Sequence, residues 1–171
     1  MPPPGGGGYT GPVTEQLRLR VARALACFEQ SDDIGPLHEL LDEVAPRARR
    51  AIGQFMQKGG EDAIPPPADI GPAREPATLT EASQTLRTTN DFPLLLAMTR
   101  TIGQRVEAIE IAASAEFHEG SRVLVAAQPR YPVAGESVPG TVKDTGIMLD
   151  VLLDDGESWR GPASLARLIP S

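Results

Sequence analysis

The chain has 171 residues, a formal net charge of −7 and only 4% aromatic residues, so any core must consist mainly of Leu, Ile, Val and Ala. The acidic balance argues against direct nucleic-acid binding, which needs excess Lys and Arg to displace counterions from phosphates. Cys27 is the single cysteine, so an intrachain disulfide is excluded.

Small-molecule and membrane chemistry have little support in the composition. With two histidines and one cysteine the chain offers few metal ligands, and we expect neither a metal nor another cofactor. Cys27 is interpreted as a small buried hydrophobe rather than a nucleophile. No apolar run reaches membrane-spanning length and no secretory signal is evident, so we expect a soluble intracellular protein of the cytoplasm or nucleus, without membrane contact.

The chain begins with a tail, residues 1–11, whose Pro and Gly content predicts disorder. Residues 12–58 carry apolar side chains at helical spacing and predict a helical hairpin or kinked helices. Pro46 interrupts the second apolar stripe, so it is expected to kink that helix or to begin a new one. Three arginines of the first helix are interpreted as a solvated flank, with an anion-binding patch as the alternative: Arg18, Arg20 and Arg23.

Residues 59–77 are rich in Gly and Pro, including a run of three prolines at 65–67. This composition predicts an extended linker without regular helix or sheet. A plain spacer is favoured, and a Pro-rich ligand for an SH3 domain is the alternative.

Residues 78–117 are predicted to be helical and to contain the longest helix of the chain. Thr78 and Glu81 form a capping-box pattern that starts the first of these helices. The second starts at Asn90 or Asp91, is expected to end near Phe117, and carries the cleanest amphipathic stripe. The stripe must be covered by the other short helices or by a partner, and we interpret it as a docking surface. Its residues are Leu95, Met98, Ile102, Val106 and Ile109.

Residues 118–171 predict a small five-stranded barrel, which makes the chain an α+β protein. Strands are expected at 121–127, 140–143, 147–153, 158–160 and 166–169, with a long loop between the first two. Gly161 and Pro162 are expected to end the fourth strand, and residues 163–165 suit a 3₁₀ turn. Asp155 and Gly156 predict a type I′ hairpin turn.

This C-terminal segment resembles the Tudor and SH3-like superfamily, including the Tudor region of the SAGA-associated chromatin factor. The resemblance is carried by residues 120–127, 140–142, 150–156 and 168–170, under a third of the chain. It implies a five-stranded SH3-like or Tudor-like barrel. It also implies that a peptide bearing methylated Lys or Arg could bind in an aromatic cage through cation–π attraction.

The residues available for such a cage are few. Tyr131 and Trp159 would supply the aromatic faces, with Asp154 and Asp155 as charge partners. The alternative interpretation places Trp159 in the barrel core and both aspartates in turn geometry. No pattern for a nucleophile, an acid–base pair or a phosphate loop is evident, and we expect no enzyme activity.

The sequence therefore favours a non-catalytic scaffold or adaptor subunit of a larger protein complex. In this hypothesis the helices dock to partner subunits and the barrel makes a second contact with a protein or peptide. A chromatin reader that binds a methylated histone tail is the main alternative. A structural component of a virus particle or an organelle assembly is a further one.

Overall fold

The structure is a computed structural model that describes residues 14–71 and 74–170. The predicted disorder of residues 1–11 lies outside this range. Helices come first and a five-stranded antiparallel sheet follows, which confirms the α+β class. The helices are α1 (Glu15–Gln30), α2 (Ile34–Gly59), α3 (Leu79–Thr88) and α4 (Phe92–Ser114). The strands are β1 (Arg122–Ala126), β2 (Ser137–Asp144), β3 (Met148–Leu153), β4 (Ser158–Pro162) and β5 (Ala166–Leu168).

Two compact units divide the chain, and we call them the helical unit and the sheet unit. The helical unit contains the described residues up to 31 and those from 40 to 105. The sheet unit contains Asp32–Glu39, at the start of α2, and the described residues from 106 onwards. The predicted five-segment division, with its boundary between 117 and 118, stays a prediction.

Pro46 does not divide the second helix. Pro46 lies inside α2, which is one helix from Ile34 to Gly59, so the expectation of a new helix at this residue is wrong. Pro46 removes one donor, but Val44 and Ala48 on either side of it are buried, and this burial holds the helix together. The linker is also not wholly irregular, because a 3₁₀ turn spans Glu61–Ala63.

The helical unit has a mainly aliphatic core that also contains Phe28 and Phe92. Thr78 caps α3 with a complete capping box, as predicted. The last helix, α4, ends at Ser114 rather than near Phe117, because the chain tightens there into bonds between residues three apart. The largest buried side chains of this unit are Val21, Phe28, Leu86, Phe92, Leu94, Leu95, Met98 and Ile102.

The sheet has the strand order β4-β3-β2-β1-β5, and every pairing is antiparallel. A second 3₁₀ turn, Ala163–Leu165, precedes β5 as predicted. This arrangement is compatible with a small barrel. The core of the sheet unit includes Phe117, Val123, Val125, Val142, Leu149, Val151, Trp159 and Leu165.

Two strands are longer than predicted because Pro and Gly are part of them. The strand β2 begins at Ser137, and Pro139 pairs with Leu124 while its carbonyl accepts a bond from the Asp154 amide. The strand β4 continues through Gly161, where a Cβ atom would lie 2.6 Å from the Pro129 side chain. Glycine at this position allows a close approach rather than ending the strand.

The hairpin between β3 and β4 differs from the prediction in its turn type. Gly156 has a positive φ of 91°, but Asp155 does not, because no non-glycine residue among those described has a positive φ. A type I′ turn needs positive φ at both central residues. The bonds from Gly156 N to Leu153 O and from Leu153 N to Glu157 O instead fit a turn followed by a glycine bulge.

Candidate functional site

A buried carboxylate lies at the centre of the most connected polar cluster in the sheet unit. Glu110, near the end of α4, is 2% exposed. Its Oε2 accepts a bond of 2.8 Å from the Ser164 amide in the second 3₁₀ turn, and its Oε1 accepts a short bond from the Ser164 hydroxyl. The His38 Nε2, from the start of α2, donates to Oε1 at 3.2 Å. Three donors from two other segments thus converge on one carboxylate.

Tyr131 extends this cluster into the loop between β1 and β2. Its hydroxyl donates to the Ser164 oxygen at 2.9 Å. Its ring stacks on His38, with centroids 4.7 Å apart and an interplanar angle of 13°. The loop, α2, α4 and the second 3₁₀ turn are therefore joined through four side chains. We call the set His38, Glu110, Tyr131 and Ser164 the carboxylate cluster.

The electrostatics of the cluster favour the ionised carboxylate. Burial alone would raise the pKa of Glu110, but the hydrogen bonds from His38 and Ser164 outweigh it and leave the pKa below its ordinary value. Burial also raises the pKa of the Tyr131 hydroxyl, which therefore stays protonated as a donor. The carboxylate is thus held in its acceptor form by the donors of His38 and Ser164.

The order of these groups does not suit nucleophilic catalysis. A serine nucleophile needs a histidine or another base beside its hydroxyl, with the carboxylate behind that base. Here the Ser164 hydroxyl bonds directly to Glu110, and His38 lies on the other side of the carboxylate. The geometry fits a structural tie between segments.

A second feature of the sheet unit is a concave surface of about 400 Å³ on the outer side of β2, β3 and β4. Leu152 lines this surface and is 40% exposed, and Met148, two pleats along the same face of β3, is also 40% exposed. Asp150 and Arg160 face each other across β3 and β4 at 3.7 Å, and Lys143 adds a second cation. We call this the outer sheet face.

The residues proposed for an aromatic cage are occupied within the chain. Trp159 is buried in the sheet core, where its Nε1 donates to the Ala126 carbonyl at 2.8 Å. Tyr131 is held in the carboxylate cluster. Asp154 forms two bonds to Arg122, at 2.7 and 2.8 Å, and Asp155 accepts the Glu157 amide within the hairpin turn. The structure does not bring these four side chains together as an open cage.

The predicted docking stripe of α4 is covered by the chain itself. Leu95, Met98, Ile102 and Val106 are buried, and Ile109 is half-buried. The sequence left open whether the chain or a partner would cover this stripe, and here the chain does. This burial fits coverage by the chain, and the docking function of the stripe stays a prediction.

The arginines of α1 line open grooves. Arg20 and Arg23 face α3 across a groove of about 560 Å³, and Arg23 is 3.7 Å from Glu81. Arg18 lines another groove with Glu15. Acidic side chains accompany the arginines in both places, which favours the solvated-flank interpretation over an anion site.

Redox, metal and membrane features are limited in the part of the chain that the structure describes. Cys27 is partly buried, and this burial raises the pKa of its thiol, which lowers its reactivity. Across residues 14–71 and 74–170, no three His, Cys, Asp or Glu side chains are grouped to hold a metal ion. Over the same residues, each helix is too short or too polar to span a bilayer.

Sequence reasoning missed the carboxylate cluster, although it contains one usable signal. Glu110 continues the spacing of Ile102 and Val106, four residues further along α4, and so places a charge on an otherwise apolar stripe. A buried carboxylate needs partners. Ser164 and His38 could not be named as those partners, because both are distant from Glu110 in the chain.

Comparisons of the chain with protein-family models, with curated proteins and with solved structures find no match.

Proposed function

We propose that the chain is a non-catalytic scaffold or adaptor subunit of a larger protein complex. In this proposal the sheet unit is an SH3-like module that contacts a protein partner through its outer sheet face. The meander of β1 to β4, the 3₁₀ turn and the return of β5 to β1 support the SH3-like assignment, in keeping with the sequence resemblance.

One observation carries the proposal: two large apolar side chains of β3 point away from the sheet core and into solvent. Met148 and Leu152 are each 40% exposed, while Leu149 and Val151 between them are buried. Protein interfaces combine an apolar centre with a polar rim. The outer sheet face has this composition, since Lys143, Asp150 and Arg160 line the same concave surface as Leu152.

A matched pair of variants tests the proposal. Leu152→Glu places a carboxylate on the outer sheet face, and Leu19→Glu places one at an exposed leucine of α1. Tagged full-length protein is expressed at native level, and the proteins that co-purify are quantified by mass spectrometry. We expect Leu152→Glu to reduce recovery of the partner about tenfold, the effect of losing an interface hot spot, and Leu19→Glu to leave it unchanged.

Trp159 provides the control for folding, because it is the only tryptophan and lies in the sheet core. Its fluorescence should be the same in both variants. Equal recovery of the partner by Leu152→Glu and wild type would remove the outer sheet face from the proposal. A wild-type chain that purifies alone at native expression would contradict the adaptor function itself.

A further inference from the structure

We propose that Glu110 is an acid-sensitive latch within the sheet unit. In its ionised form it holds the start of α2 and the Tyr131 loop on the second 3₁₀ turn, and protonation releases both while the strands stay paired. This inference concerns regulation and does not depend on the identity of any partner.

The first support is the way in which the cluster is connected. Glu110 is the acceptor for His38 and for both donors of Ser164. Tyr131 is bonded to Ser164, stacks on His38 and also packs against the sheet core. The bonds from His38 on α2 and from Ser164 on the turn thus meet at a single carboxylate of α4.

The second support is that the strands do not use this carboxylate. The sheet core consists of apolar residues on β1 to β4 together with Phe117, with Trp159 bonded to Ala126. Ala163 and Leu165 of the second 3₁₀ turn belong to the same core, so apolar packing keeps the turn on the sheet without Glu110. The pairing of β1 with β5 continues through Val123 and Leu168. Loss of the Glu110 bonds therefore leaves the ladder and its core intact.

The direction of the pH effect follows from the groups that face Glu110. His38 comes from α2, Ser164 from the 3₁₀ turn and Tyr131 from the loop, and Asp33 adds a further negative charge near Tyr131. The pKa of Glu110 is below its ordinary value of about 4.3. At a pH above that ordinary value, the ionised latch therefore makes its full contribution to the stability of the folded state. This contribution is lost as the pH falls through the lower pKa that Glu110 has in the folded state.

The chemistry of release is a single proton transfer from solvent. One proton binds a Glu110 oxygen and makes it a donor, while the Ser164 amide and hydroxyl and the His38 Nε2 still point at the carboxyl group. A protonated carboxyl cannot accept all three bonds in their present geometry. The donors of Ser164 and His38 then face the protonated carboxyl group, which is itself a donor. Because unsatisfied polar groups are costly when buried, this arrangement favours separation of the segments.

Nuclear magnetic resonance of the histidine rings of the full-length protein measures the latch directly. The chain has two histidines, so His118→Gln assigns the His38 signals. Stacking on Tyr131 shifts the His38 ring protons, and release removes that shift. We expect the His38 signals to reach their released position at a higher pH than that at which Trp159 fluorescence reports loss of the sheet core.

Three variants decide between the latch and its alternatives. Glu110→Gln removes the charge and should place the His38 signals in the released position at pH 7, with Trp159 fluorescence unchanged. Glu43→Gln, the matched control, removes an exposed carboxylate whose pKa is also lowered, by Arg87, and should leave the His38 signals unchanged. Ser164→Ala keeps the amide donor but not the hydroxyl, and should raise the pH of release by about one unit.

Two results would overturn the proposal. One is a Glu110→Gln protein whose His38 signals match wild type at pH 7. The other is wild-type protein in which His38 and Trp159 respond at the same pH, since Glu110 would then support the whole sheet unit and not a latch. If Glu110→Gln does not fold, the midpoint of Ser164→Ala decides: an unchanged midpoint contradicts the latch.

Discussion

Glycine residues within the helices and within the strands of the two units differ in the space around them. In the helical unit, Gly53 and Gly103 lie within helices, and a Cβ atom added to either would meet nothing within 4 Å. In the sheet unit, a Cβ on Gly140 would lie 2.6 Å from Val151 Cγ1 and 2.8 Å from the Leu152 carbonyl oxygen. Glycine at these two helical positions therefore only lowers the stability of the helix and could be replaced. Glycine in the strand, by contrast, allows neighbouring strands to approach closely.

The units also differ in where they place charge. In the helical unit, the pairs Arg23–Glu81 and Arg87–Glu43 are well exposed, and such pairs contribute little after screening by solvent. The sheet unit has exposed pairs as well, Arg122–Asp154 and Arg160–Asp150, but it also buries Glu110 under three donors. Apolar burial thus dominates the helical unit, while the sheet unit combines apolar burial with backbone approach and one buried polar cluster.

The largest expected effect is on the apolar core of the helical unit. Ile102→Ala removes a fully buried side chain of α4 and should lower the free energy of unfolding by about 3 kcal/mol, through lost transfer energy and the cavity left behind. Ile111→Ala, on the same helix but 53% exposed, should change it by less than about 0.5 kcal/mol. Urea unfolding followed by far-ultraviolet circular dichroism measures both.

Trp159 fluorescence in the same titrations sharpens the comparison between the units. If Ile102→Ala shifts only the helical transition, the units unfold separately. If both probes shift together, the units form one cooperative system. An Ile102→Ala protein as stable as wild type by both probes would show that this stripe is not core.

The next effect has opposite signs in the two units. Gly140→Ala should destabilise the sheet unit by about 2 kcal/mol, because the new methyl group overlaps backbone as well as side-chain atoms. Gly103→Ala should stabilise the helical unit by about 1 kcal/mol, because alanine is the better helix former and the space is open. Thermal unfolding of each variant measures both changes, and changes of equal sign would refute the contrast.

Much of the fold could be predicted from the sequence because it depends on local periodicity. The spacing in α4, the alternation in β3 and the capping box of Thr78 were sufficient to place these elements. The 3₁₀ turn before β5 could be predicted from its position directly after the expected end of the fourth strand. Each of these signals comes from residues within a few positions of one another.

The remaining features depend on contacts that are distant in sequence. By local rules Pro139 and Gly161 should end strands, yet both belong to strands. The fold places Pro139 where its missing amide hydrogen is not needed, and Gly161 where a side chain is not needed. The contacts of Trp159 and Tyr131 could not be predicted for a similar reason, because their partners Ala126 and Ser164 are each 33 residues away. Ser164 and His38 could be matched to Glu110 only in three dimensions.

The smallest expected effect concerns the cap of α3 and is local to the helical unit. The Glu81 amide donates to the Thr78 hydroxyl at 3.2 Å, and the Thr78 amide donates to Glu81 at 3.3 Å. Thr78→Ala removes the first bond, which should cost about 1 kcal/mol and speed hydrogen exchange at the first amides of α3 about fivefold. Thr78→Ser keeps the hydroxyl and should leave these rates near wild type. Exchange at Val125, in the sheet core, should not change in either variant. Equal acceleration at Glu81 and Val125 would instead show that the cap stabilises both units together, and the contrast between a locally stabilised helical unit and a separately stabilised sheet unit would fail.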